Sequence, residues 1–146
     1  MPTRPMLVRA GLALLALVQG ALAVWALLAP RAFYDDFPGG GRAWVSPLGP
    51  YDEHLVRDVG ALSLALTVVL VAALVSLDRR LVLVAGLAYL AWSVPHLAFH
   101  LTADDVLPAG DRVASEAGQL LTTLIAAALA LDALRARDRA RPRTPA

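Results

Sequence analysis

The fold turns on one stretch: Leu55–Leu77, LVRDVGALSLALTVVLVAALVSL, then Asp78-Arg79-Arg80, then Leu81–Leu101, LVLVAGLAYLAWSVPHLAFHL. A helix needs roughly 20 mostly apolar residues to cross a hydrocarbon core of about 30 Å, and each run meets that length. So short a turn between them predicts a tight antiparallel helical hairpin. Neither run alternates polar and apolar residues as a barrel strand does. A helix also satisfies its own backbone hydrogen bonds where lipid offers no partner.

Working outward, two more runs qualify. Upstream, Leu7–Ala29 is broken only by Arg9 and Gln19; downstream, Val113–Leu134 carries Glu116 and Gln119 early and Asp132 late. The expected class is therefore all-α: an antiparallel four-helix membrane bundle over residues 1–134. Its spans fall at about 7–29, 55–77, 81–101 and 113–134, with a loop at 30–52 and an arginine-rich tail at 135–146. Ala21-Leu22-Ala23 after Arg4 and Arg9 has the pattern of a signal-peptidase site. The apolar run continues through Val24, Trp25, Leu27 and Leu28, however, and that length favours a retained helix.

Composition agrees. Hydrophobic residues make up 58% of the chain and charged residues 17%, against about 45–50% and 25% in soluble domains; mean hydropathy is +0.62. The absence of cysteine excludes disulfides, thiolate catalysis and cysteine metal sites. A net charge of +1 gives no bulk attraction to nucleic acid. There is no Gly-x-Ser-x-Gly, phosphate-loop or dinucleotide motif.

Arginines resist translocation and so set orientation. Arg4, Arg9, Arg79, Arg80 and the arginines from Arg135 onward share one side; Arg31, Arg42, Arg57 and Arg112 are alone on the other. The first side is expected to be cytoplasmic, placing both termini inside and the 30–52 loop outside, in a multi-pass protein of the cell membrane. That loop is rich in aromatics, glycines and prolines, suiting an interfacial loop or a cap over the bundle.

Polar residues within spans are costly in hydrocarbon and carry the functional information. His54 and Asp58 are four apart in span two, with Glu53 and Arg57 beside them. Tyr89, Ser93, His96 and His100 share a face of span three, and Arg112, Glu116, Gln119 and Thr123 a face of span four. All lie in the outer half, so the three stripes are expected to converge on an outward-facing pocket, with Pro95 able to tilt the nearby imidazoles. Ala16, Gly20, Ala61, Ala65 and Gly118 would permit close helix approach.

Two imidazoles in an H-x3-H pair suit a divalent metal. His96 and His100 are the primary ligands of that reading, with His54, Asp58 and Glu116 completing the set. Arg57 would hold a carboxylate or an anionic ligand, and Glu53, Ser93 and Gln119 would support. Nitrogen and oxygen donors without sulfur suit zinc, copper or iron, and an open coordination position would permit Lewis-acid chemistry. Other readings stay open. A haem could use His54 with His96 or His100, and a quinone could rest against Trp92 and Tyr89. The polar cluster could instead be a helix-packing network in a structural or accessory subunit that assembles with another membrane protein or with itself. Gln19, Ser63 and Thr67 are thin support for a proton path through the inner half.

Three stretches, Phe33-Tyr34-Asp35-Asp36-Phe37-Pro38-Gly39, Gly49 through Gly60 and Pro95-His96-Leu97-Ala98-Phe99-His100, resemble a group of uncharacterised actinobacterial four-helix integral membrane proteins. In size and helix count the chain is also loosely similar to DoxX-like proteins. The resemblance implies the same fold and singles out the same polar residues, but it brings no activity with it.

Overall fold

The computed structural model describes residues 4–139 of the chain, so most of the expected arginine tail at 135–146 lies outside the described residues. Four helices are long and apolar enough to cross a membrane. They are α1 (Arg4–Leu28), α3 (Glu53–Ser76), α4 (Arg79–Ala103) and α5 (Ala109–Arg139), and a short α2 (Pro30–Asp36) follows α1.

The helix limits follow from local chemistry. Asp52 caps α3 by accepting from the Leu55 amide at 3.1 Å. At the far end Leu77 turns left-handed (φ 51°), and its amide donates back to the Ala73 carbonyl. Asp78 then starts α4, one carboxylate oxygen accepting from the Arg80 and Leu81 amides at 3.0 Å each. The reversal thus occupies Leu77 and Asp78, and α4 begins earlier than the apolar run. Pro95 lies inside α4 without ending it. Beyond Ala103 a 3-10 turn, Asp104–Val106, extends the chain past the expected limit at Leu101.

The helices associate chiefly as two pairs, α1 with α3 and α4 with α5. Two glycines sit at close helix approaches. A Cβ on Gly60 would meet Leu27 Cγ at 2.9 Å, and one on Gly86 would meet the Ala126 carbonyl oxygen and the Ala130 amide nitrogen, both at 3.1 Å. Of the small residues expected at interfaces, Ala16 is buried and Gly20 lies against Thr67, whereas Ala61 and Ala65 are exposed and Gly118 faces open space. Between α1 and α3, Gln19 Nε2 donates to Ser63 Oγ at 3.0 Å in full burial. The main core gathers Leu12, Leu15, Leu70, Val82, Tyr89 and Leu129 from all four long helices. Elsewhere large apolar side chains such as Leu17, Leu62, Val68 and Val75 face outward. Such a surface suits lipid and is unfavourable in water.

The 30–52 segment is folded. β1 (Pro38–Gly39) and β2 (Arg42–Ala43) pair antiparallel, Pro38 opposite Ala43, around Gly40 and Gly41. Both glycines have positive φ (68° and 77°), the requirement of a tight hairpin turn. Trp25, Phe33, Phe37 and Trp44 pack edge-on or tilted in a chain with centroids 5.0–6.1 Å apart, joining the hairpin and α2 to the end of α1. Arg42 pairs with Asp111 at 3.3 Å, tying the hairpin to the first turn of α5. The turn Ser46–Leu48 also lies against Asp104–Val106. These segments form the loop end of the molecule; Arg4, Leu77 and Arg79 lie at the terminal end.

Candidate functional site at the loop end of α4 and α5

Four side chains at four-residue intervals form a column on α4: Trp92, His96, His100 and Asp104. The Trp92 and His96 rings stack at 4.8 Å and 23°. His96 meets His100 edge-on at 4.5 Å, and Phe99 packs against His100 at 5.5 Å. The column ends in a buried pair, His100 Nδ1 to Asp104 Oδ1 at 2.7 Å. The Asp104 side chain is 0% exposed and that of His100 11%.

Asp104 is positioned by backbone. Its amide donates to the His100 carbonyl as the cap of α4, and its own carbonyl accepts from the Leu107 amide. The first bond keeps Asp104 in the helical register of α4, one turn beyond His100 on the same face. The sequence reading did not place Asp104 at the site. The available signal is the register H-x3-H-x3-D over residues 96–104, which crosses the end of the apolar run at Leu101.

Alongside the column, α5 supplies Ser115 and Gln119. Gln119 Nε2 donates to Ser115 Oγ at 3.1 Å, and Ser115 and Ser93 are both buried. Several buried polar atoms have no partner among the described residues: Asp104 Oδ2 at this end, Trp44 Nε1 in the hairpin, Gln119 Oε1 on α5, and Ser93 Oγ, about 16 Å from Asp104 along α4. A buried polar atom without a hydrogen bond is costly, which makes each of them a candidate recognition group.

The expected three-stripe pocket does not assemble. His54 reaches only Asp58, at 3.5 Å, with side chains 89% and 56% exposed. Arg57 bonds Glu53 on its own helix at 2.8 Å and the Leu27 carbonyl of α1 at 2.7 Å. Glu116 is taken by Arg112, four residues earlier, at 2.9 Å. The five expected metal ligands therefore divide among His54–Asp58, His96–His100 and the Arg112–Glu116 pair. No three His, Asp or Glu side chains among the described residues gather closely enough to hold an ion. The physical reason is that an i, i+4 partner on the same helix satisfies a charge without requiring helices to converge.

No family model matches the chain, and comparisons with curated proteins and with solved structures also return no match.

Proposed function

We propose that this chain is a multi-pass protein of the cell membrane, with four antiparallel spans and both termini in the cytoplasm, that binds a small ligand at its extracytoplasmic end through His96 and His100. The arginine asymmetry supports the orientation. The contact order supports the antiparallel arrangement: Gly60 lies beside Leu27, and Gly20 beside Thr67.

The observation that carries the binding reading is the buried His100–Asp104 pair beside a second imidazole. A carboxylate that accepts the Nδ1 proton selects one tautomer and leaves the Nε2 lone pair available. His100 then accepts a hydrogen bond or a proton from a ligand, and Asp104 stabilises any positive charge that forms. The unpartnered oxygens of Asp104, Gln119 and Ser93 are acceptors too. The site therefore favours a ligand carrying hydroxyl or N–H donors, such as a hydroxylated ring seated against Trp92. The reading assigns binding and not a reaction.

A second reading is a divalent metal on His96 and His100, with Asp104 behind His100 as the carboxylate that orients a coordinating imidazole. The four-residue spacing favours it. Only two protein nitrogens would then contact the ion, leaving positions for solvent or an exogenous ligand.

Trp92 reports on both readings. In a Trp25→Phe, Trp44→Phe background in mild detergent, its emission is followed during titration with a short-chain quinol, and separately with zinc and copper(II). A saturable change lost in His96→Ala and His100→Ala supports the site, and reversal by a chelator identifies the metal reading. If no titrant changes the emission while the histidine variants merely lower thermal stability, the column is a packing element and the binding reading fails.

A further inference from the structure

A separate feature opens at the terminal end, between the two helix pairs. A cleft of about 580 Å³ runs between α1 and α5, lined on one side by Leu7, Gly11 and Leu14 and on the other by Ile125, Ala128 and Leu129. A second cleft of about 320 Å³ adjoins it towards Leu77 and Arg79. Both share Arg4, Val8 and Asp132. At that shared mouth the Arg4 guanidinium holds the Asp132 carboxylate with bonds of 2.6 and 3.0 Å. The α1–α5 contact is lighter than those within the helix pairs. It tightens at Gly11, where a Cβ would stand 3.3 Å from Ile125 Cγ2.

We propose that the cleft seats one acyl chain of an anionic glycerophospholipid, with its phosphate held at the mouth by Arg79 and Arg4. The length fits. From Arg4 to Leu14 the α1 wall runs about 15 Å at 1.5 Å per residue, the depth of one leaflet of a core roughly 30 Å thick. The chemistry fits as well: the wall is aliphatic and the polar groups are confined to one end. There Arg4 pairs with Asp132, and Arg79 lines the adjoining cleft with its Nη1 3.5 Å from the Ala133 carbonyl oxygen, so two guanidiniums accompany one carboxylate and leave a positive excess. An anionic phosphate answers that excess, and a zwitterionic headgroup answers it less well. The seated chain would touch α1 and α5 together, bridging the helix pairs where direct contact is light. This inference rests on the membrane reading and not on the histidine site.

The test is native mass spectrometry of the full chain released from detergent, offered palmitoyl-oleoyl phosphatidylglycerol or the matching phosphatidylcholine. A one-to-one adduct favouring phosphatidylglycerol by about fivefold is expected, the effect of roughly one well-placed arginine near a surface. Arg79→Gln should bring that ratio towards one. Ala128→Phe introduces a ring from an exposed α5 position into the cleft and should abolish the adduct with either lipid. Circular dichroism verifies that both variants remain helical. Equal retention of the two lipids, or adducts indifferent to both substitutions, would overturn the proposal. So would a protein dimer that Ala128→Phe disperses, since a second copy would then fill the cleft. Failure of the membrane reading itself would look different: the chain would stay soluble and monodisperse without detergent.

Discussion

Asp104→Ala is the sharpest probe of the α4 column. The substitution removes the carboxylate that accepts from His100 Nδ1 at 2.7 Å, in a pair whose side chains are 0% and 11% exposed. An orphaned buried donor costs about 1–3 kcal/mol, and a buried charge that loses its partner about 3–5 kcal/mol. His100 has a small opening to solvent, so the lower range applies, and a loss of about 1–3 kcal/mol is expected. Asp104→Asn keeps an oxygen that can accept from Nδ1–H and should lose less. His100→Ala should cost at least as much as Asp104→Ala, because it leaves a wholly buried carboxylate with neither oxygen paired. Reversible unfolding in mixed micelles, followed by circular dichroism, measures each loss and that of the double variant. Contacting residues usually couple by about 0.5–3 kcal/mol. If the two alanine losses instead add to within about 0.5 kcal/mol, the pair is not energetically coupled, and its role in orienting His100 is refuted.

Three further outcomes follow from the packing and the orientation. Gly86→Val places a branched side chain against the Ala126 carbonyl and the Ala130 amide, backbone atoms that cannot rotate away; a loss of about 1–3 kcal/mol is expected in the same unfolding assay. Gln19→Leu removes the bond to Ser63 but also removes a buried unpartnered oxygen, so the change should stay within about 1 kcal/mol, near the mean of interhelical bonds in membranes. The chain has no cysteine, so single replacements report topology directly: Ser46→Cys should react with a membrane-impermeant maleimide on intact cells, and Arg80→Cys only after permeabilisation. The opposite pattern would invert the proposed orientation.

The existence of four long apolar helices was legible in the sequence because run length is a local property. It needs no knowledge of neighbours, only that about 20 apolar residues in a row span hydrocarbon. Asp78 was likewise readable as part of a turn, since an N-cap acts on amides two and three residues away. The alignment of His96 with His100 also depended only on helical periodicity, and it persists as a ring contact of 4.5 Å.

Partnership between distant residues was another matter. Burying His54, Asp58 or Glu116 alone in hydrocarbon would be costly, but that cost did not dictate convergence, because each is answered by a residue four positions away or by exposure at the loop end. Gly60 and Gly86 sit at close helix approaches, and nothing in their local sequence distinguishes them from Gly118, which meets no neighbour. Asp104 reaches His100 by ordinary i, i+4 spacing, but its burial comes from Asp104–Val106 packing against α5 and Ser46–Leu48. Helix formation is a short-range balance of hydrogen bonds and solvation, so sequence alone determined the four long apolar helices, though not their exact limits. The helix pairs, the cleft between them and the buried carboxylate arise from long-range packing, which only the tertiary structure decided.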